Sequence, residues 1–256
     1  MSLPWSNERN NFRGYELLIN YRIIGWLMED GAMRNLASNR LFAGLKKEET
    51  SSIAACAKTR RYKSPDIIIR EDNPATRLFI VKSGLVNFYT VTEKGQKILL
   101  RRFVPGGVFG IAAFLWEPMG YLGTAVALDD TEVATWEHQD VLRFADAYPR
   151  FSQNAFRLAL SYIAEYARRH VSLATDTAQE RAAYVLTHNA AQSGRVLPDG
   201  VSIDIRNEDL ADLADISFFT VSRLLQKWER TGAVVKSRGR VLIRCPEKLL
   251  AAEASS

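Results

Sequence analysis

Two short apolar stripes at helical spacing, broken by a tight turn, fall within residues 208–230, and that combination admits few folds. Leu210, Ala211, Leu213 and Ala214 form the first stripe, and Ile216 fills the turn. Ser217 stands where an N-cap hydroxyl would hold the first amides of a second helix. Val221, Leu224, Leu225 and Trp228 then recur at i, i+3, i+4 and i+7, one face of that helix. At about 100° per residue the opposite face carries Phe219, Ser222, Arg223, Gln226 and Arg230. A second helix buried on one side and carrying Arg and Gln on the other is built to enter a DNA groove, where those donors reach purine edges.

The charge pattern points the same way. Ser217 to Arg244 holds seven basic residues (Arg223, Lys227, Arg230, Lys236, Arg238, Arg240, Arg244) against one acid, Glu229. That net +6 in 28 residues exceeds the +5 of the whole chain, so the excess is local. A solvated charged face is the alternative. A local basic surface coinciding with helix-turn-helix spacing favours a phosphate backbone, which gains affinity by releasing counterions. The expected DNA contacts are Ser217, Phe219, Thr220, Ser222, Arg223, Gln226, Lys227, Arg230, Lys236, Arg238 and Arg240. Phe218 is expected nearer the buried edge, as packing. Asp215 takes the turn position that calls for a left-handed residue, a conformation Asp tolerates better than most. Ala233–Ser237 and Arg240–Arg244 flank Arg238-Gly239, a two-residue hairpin turn that reads as a wing.

Composition excludes several classes. Cys56 and Cys245 are far apart with no CxxC spacing, which argues against a disulfide framework and fits a reducing cytoplasm. A redox role for Cys56 is set against a lone buried thiol. His138, His170 and His188 lie in different segments without metal-ligand spacing, and His138 is expected as a surface or capping residue. Leu17–Met28 is short and holds Arg22, and Val104–Trp116 is broken by Pro105, Gly106 and Gly107, so neither spans a bilayer. The first thirty residues lack the order of a signal peptide. A P-loop, a nucleophile elbow and paired catalytic acids are missing, so an enzyme is not expected.

The chain reads as α+β in four parts. Residues 1–38 form an extension in which Leu17, Tyr21, Ile24 and Met28 mark an amphipathic helix, packing on the next domain or serving as a partner arm. Residues 39–148 form an antiparallel β-roll of the jelly-roll type: Phe79–Val81, Val86–Val91, Ile98–Val104, Thr124–Leu128 and Glu132–Trp136 are short strand-like runs separated by turn signals. Residues 149–175 form a long helix whose Phe156, Leu160, Ile163, Ala167, His170 and Ala174 make a heptad seam. Leu158, Tyr162 and Tyr166 lie off the seam, facing the roll. Three heptads are short for a coiled coil, so the seam needs the roll or a second copy to bury it. Residues 176–256 open with a capping box, Thr177-Ala-Gln-Glu180, pass through a strand at Val201–Ile205 and end as the winged helix.

The order of roll, long helix, capped helix and winged helix resembles the cyclic-AMP-receptor and fumarate–nitrate-reduction (CRP/FNR) regulators of bacteria, over about residues 40–245. The resemblance rests on Leu78-Phe-Ile-Val-Lys-Ser-Gly-Leu-Val86, on Gly95-Gln-Lys97 with Phe103-Val-Pro-Gly-Gly-Val-Phe-Gly110, and on Thr220-Val-Ser-Arg-Leu-Leu225. It implies a sequence-specific transcription regulator, a homodimer formed along the long helix, and two recognition helices on a pseudo-palindromic site with half-sites ~34 Å apart. It also implies RNA polymerase as a partner and a cytoplasmic location.

The resemblance places a cyclic-nucleotide-type pocket at Phe109, Gly110, Ile111, Ala112, Ala113, Phe114, Tyr121, Leu122, Gly123 and Thr124, with Val126 on its wall. Where the cyclic-AMP receptor has a Glu for the ribose and an Arg-Ser pair for the phosphate, this chain has Ile111, Tyr121 and Leu122. A buried phosphate needs charged or amide partners, so cyclic AMP is not expected. An iron–sulfur cluster needs four cysteines, and no haem ligand stands on the roll's dimer-facing strands. That leaves an apolar effector or a pocket filled by its own side chains. The alternative to an effector-controlled regulator is a constitutive one whose roll is only structural. Relatives reading GTGA-like or TTGAT-like half-sites often carry a Glu one turn before the Arg. Phe219 holds that position here, so Arg223 is expected to read a guanine and Phe219 a thymine methyl.

Overall fold

The computed structural model describes Leu36, residues 39–117 and residues 119–250. The amphipathic helix expected around Leu17, Tyr21, Ile24 and Met28 lies outside them. The described residues divide into two compact units that part between His170 and Val171.

In the first unit, period-two patterning builds two antiparallel four-stranded sheets. One has the order β1 (Lys58–Tyr62), β8 (Thr131–Glu137), β3 (Arg77–Ser83), β6 (Val108–Phe109). The other runs β2 (Ile67–Ile69), β7 (Thr124–Ala127), β4 (Val86–Val91), β5 (Lys97–Phe103). The alternation shows best in β3. Phe79 and Val81 point between the sheets, into a core with Ile69, Val86, Phe103, Phe109 and Val133. Leu78 and Ile80 point the other way, into a second core with Phe42, Ile53, Trp136, Phe144 and Phe151. A strand buried on both faces reads as a continuous apolar run.

That second core is closed by α1 (Lys47–Ala55), α2 (His138–Ala147) and the first turns of α3 (Pro149–Thr175). Phe151, Ala155 and Leu158 bury one side of α3 against the roll. Asn154, also buried, donates to the Leu41 and Ala43 carbonyls at 3.0 and 2.9 Å. Further along, Tyr162 donates to the Val108 carbonyl at 2.7 Å. So Leu158 and Tyr162 face the roll as expected, and Tyr166 stays partly exposed with burial raising its hydroxyl pKa.

Sequence patterning does not mark β1, β2, β6, α1, α2 or the short strand Arg195–Leu197 of the second unit. β1 is Lys-Thr-Arg-Arg-Tyr, polar and exposed at alternate positions. Its strand identity comes from its ladder with β8, from Lys58 opposite Thr135 to Tyr62 opposite Thr131.

The second unit is a winged helix. α4 (Ala178–Ser193) begins at the expected capping box: the Thr177 hydroxyl accepts from the Glu180 amide at 3.2 Å, and the Glu180 carboxylate accepts from the Thr177 amide at 2.8 Å. β9 (Arg195–Leu197) and β10 (Gly200–Asp204) form a hairpin. β10 also pairs with β12 (Arg240–Ile243), which pairs in turn with β11 (Val234–Ser237). Between them lie α5 (Asn207–Ala214) and α6 (Phe218–Arg230). Their core joins Leu186, Ile203, Leu210, Val221, Leu225, Trp228 and Val241.

Candidate nucleic-acid interface

α5 and α6 meet at a turn whose geometry the sequence specifies closely. Asp215 takes a left-handed conformation, φ 53° and ψ 53°, at the end of α5. The Ile216 amide then donates back to the Ala211 carbonyl at 3.1 Å. The Ser217 hydroxyl accepts from the Thr220 amide at 3.1 Å, satisfying one orphan donor at the start of α6. Arg181, which patterning did not single out, braces this turn. It donates to the Ala214 carbonyl at 3.0 Å and the Asp215 carbonyl at 3.3 Å, covering the free end of α5.

α6 is held on one side only. Val221, Leu225 and Trp228 are buried, and the Trp228 indole donates to the Leu249 carbonyl at 3.0 Å. Its C-terminus closes by a Schellman motif: the Ala233 amide bonds the Trp228 carbonyl and the Gly232 amide bonds the Glu229 carbonyl, at 2.8 and 3.1 Å. Gly232 sits at φ +72°, which suits glycine. Phe219, Arg223, Gln226 and Arg230 are exposed on the other side, while Ser222 is half-buried beside Asn207. Among the described residues Arg223, Arg230 and Arg238 carry no ion pair, so their guanidinium groups are open to a ligand.

Two residues of α6, the expected contact Lys227 and the expected packing residue Phe218, are placed differently. Lys227 turns back and donates to Gln179 at 3.1 Å. Phe218, expected as packing, is 43% exposed, with its ring edge-on to Phe219 at 6.1 Å. The apolar stripe of α6 begins at Val221, and Phe218 stands a turn before it, where the core has ended.

The wing turns at Gly239, φ +71°, and carries Lys236, Arg238 and Arg240 on its exposed surface. Arg240 pairs with Asp204 at 2.7 Å, and Glu229 accepts from the Lys236 amide at 3.2 Å, tying the wing's base to α6. A cleft of about 540 Å³ opens between wing and helices, lined by Phe218, Glu208, Arg206, Lys236, Arg238 and Arg240 among others. Arg206 belongs to this basic rim although it precedes the basic stretch counted from Ser217. Asp209 holds it at 3.3 Å and raises its pKa.

In the roll, the segment matched to an effector pocket is packed into the two cores. Phe109 stacks on Phe79 at 4.7 Å and on Phe103 at 5.3 Å, and Phe103 meets Tyr162 of α3 edge-on at 6.0 Å. Arg101 lies over the Tyr162 ring at 4.1 Å and pairs with Glu165. Burial raises the Tyr162 hydroxyl pKa. Gly110 is left-handed at φ +76°, with the Arg77 carbonyl 2.4 Å from where a Cβ would stand. Ala113 is buried and Phe114 packs 4.9 Å from Phe151, while Ile111 and Ala112 are half-buried against the two cores. The Tyr121 hydroxyl accepts from the Arg77 amide and donates to its carbonyl, at 3.1 and 3.2 Å, so its polar capacity is used by the backbone. Gly123 is buried near Phe88, and the Thr124 hydroxyl accepts from the Glu71 amide at 3.1 Å. Leu122 does not wall a pocket, being 70% exposed, because the chain reverses there and the adjacent Tyr121 takes the buried side.

Among the described residues no group of three or more His, Cys, Asp or Glu is placed to hold a metal ion. His138 opens α2, with its Nδ1 2.9 Å from the Ala113 carbonyl. Cys56 is half-buried beside Arg143.

A roll domain followed by a winged helix with one open basic face defines a DNA-binding regulator. Comparison with known proteins agrees. The cyclic nucleotide-binding domain family matches residues 59–148, and the Crp-like helix-turn-helix domain family matches residues 180–252. The cyclic AMP receptor protein of Thermus thermophilus is 29% identical over 206 residues, 80% of this chain and 92% of that protein. The nitrogen fixation regulation protein FixK of Bradyrhizobium diazoefficiens is 22% identical over 237 residues, 90% of this chain and 95% of that one. The solved structure of FixK2 from Bradyrhizobium japonicum shares the fold at a TM-score of 0.68 and 22% identity, over 78% of this chain and 99% of that one. The chain belongs to the CRP/FNR family of transcription regulators. No helix among the described residues is long and apolar enough to cross a membrane.

Proposed function

We propose that this protein is a homodimeric, sequence-specific transcription regulator, not an enzyme. It binds pseudo-palindromic duplex DNA in the cytoplasm and works through RNA polymerase. The observation that carries the reading is α6, buried along Val221, Leu225 and Trp228 and open along Arg223, Gln226 and Arg230. Arg223 is the guanine reader, by bidentate donation to O6 and N7. The wing residues Lys236 and Arg238 hold the backbone and set register.

Dimerisation runs along α3. Phe156, Leu160 and Ile163 are 65%, 48% and 62% exposed at heptad spacing, on the side away from the roll. Apolar area of that size along one seam calls for a covering surface, and a second copy supplies the matching one.

The roll does not take cyclic AMP. In support, Ile111 and Leu122 offer no phosphate donor and Tyr121 is bonded to the Arg77 backbone. Neither an iron–sulfur cluster nor a haem is assigned. The aromatic column Phe79, Phe109, Phe103 and Tyr162 favours a second reading, a constitutive regulator whose roll is structural. The leading reading keeps an apolar effector that would displace part of this column and bias two states of the dimer by differential binding.

Selection of binding sites from random duplex DNA, run with and without cell extract, tests the proposal. A palindromic site with an Arg223-dependent base is expected. Enrichment that depends on extract selects the effector-controlled reading, and identical enrichment selects the constitutive one. Indifference to duplex DNA at low salt would overturn both. Submicromolar competition by a labelled cyclic nucleotide would overturn the pocket assignment.

A further inference from the structure

The leading turn of α6 presents an unusual surface. Phe219 is 78% exposed and Phe218 43% exposed, a combined apolar edge at the end of the helix that enters the groove first. The hydroxyls beside them are already engaged: Ser217 Oγ accepts from the Thr220 amide and lies 2.9 Å from Thr220 Oγ1. The first turn carries no acid. Its outward chemistry is therefore two rings.

Two solvent-facing phenyl rings are unfavourable in a free protein unless something covers them. The cover must suit the surroundings. Arg223 follows Phe219 by one turn on the same face, and Phe218 lines the cleft rimmed by Arg206, Lys236, Arg238 and Arg240. A polyanion with apolar groups on its groove floor meets both demands. In the major groove the apolar group is the C5-methyl of thymine. The ring centroids are 6.1 Å apart, less than two base steps of about 3.4 Å, so the rings fall on neighbouring base pairs.

We propose that Phe218 and Phe219 together read the C5-methyl groups of neighbouring pyrimidines, so that operator affinity depends on thymine methyls and also rises when cytosine at those positions is C5-methylated. This rests on the DNA-binding reading above. It adds Phe218 to the specificity-determining residues and predicts a response to cytosine methylation.

The test uses the full-length protein and the duplex obtained by site selection, resynthesised with deoxyuridine at one thymine at a time. Uridine keeps the pairing and loses only the methyl. Each methyl under the pair is expected to change affinity by about fourfold, equivalent to ~0.8 kcal/mol per buried methyl-sized group. At the same positions 5-methylcytosine should bind more tightly than cytosine by a similar factor. Phe219→Ala and Phe218→Ala, both at exposed sites that leave the core intact, should each abolish the effect at one position. If wild-type binding stays Arg223-dependent but no uridine substitution weakens it, the methyl proposal is overturned and the DNA reading stands. Methyl sensitivity surviving in the double alanine variant overturns it as well. If no duplex shows Arg223-dependent binding, the DNA reading falls and this proposal with it.

Discussion

Replacing Ile163 by Asp should split the proposed dimer while leaving the protomer folded. Ile163 is 62% exposed and lies midway along the α3 seam, whereas α3 is anchored to the roll by Phe151, Ala155 and Leu158 on another side. Full burial of such a side chain contributes ~1.5–3 kcal/mol, so the part left to a partner is worth about 1–2 kcal/mol per protomer. Two-fold symmetry doubles the loss to about 2–4 kcal/mol, a rise of roughly 30- to 700-fold in the dimer dissociation constant. Two carboxylates facing each other across the seam add repulsion, so this range is a lower bound. Sedimentation equilibrium between submicromolar and tens of micromolar protein measures it. Circular dichroism checks that the helix survives. Ser161→Asp, about 160° around the helix from Ile163, is the control and should leave association unchanged. DNA affinity should fall in parallel, because a lone protomer engages one half-site. The reasoning is refuted if wild type is monomeric at tens of micromolar, or if Ile163→Asp associates as tightly as wild type.

Arg223→Ala should cost ~1–3 kcal/mol on the selected site and relax preference at one base pair, whereas Lys236→Ala should weaken all sequences alike and lower the salt slope by about one; competition titrations with single-base variants separate the two. Asn154→Ala removes both donors to the buried carbonyls of Leu41 and Ala43 and should destabilise the roll unit by about 2–3 kcal/mol, read as a lower urea midpoint; an unchanged midpoint contradicts the assignment. Glu132 accepts hydrogen bonds from Lys82 and Arg61, which hold its carboxyl below the ordinary range. A depressed folded pKa gives stability that is present at neutral pH and lost as pH falls through the carboxylate range. Glu132→Gln should therefore flatten the acid limb of the stability profile between about pH 5 and pH 2, and an unaltered slope would count against this network.

What the chain announces locally is the DNA-binding end. The spacing of Leu210 and Ala211 with Val221, Leu225 and Trp228, the Ser217 cap, the left-handed Asp215 and the Thr177–Glu180 box are short-range signals, each decided by a few neighbouring residues, and each is found in place. The five main strand runs of the roll and the long helix are legible for the same reason: their periodicity is carried within the segment itself. The outcomes that depend on distant residues are different. β1 is a strand because β8 lies beside it, and Arg181 acts through carbonyls more than 30 residues away. Phe218 and Leu122 are exposed because the neighbouring buried places are taken, by the Val221 stripe and by Tyr121. Lys227 leaves the outer face for Gln179, a partner no helical wheel contains. The filling of the roll by Phe79, Phe103, Phe109 and Tyr162 joins three strands and a helix. Pattern within a segment sets which face is apolar, and only the packing of segments against each other decides which apolar groups are left to meet a partner.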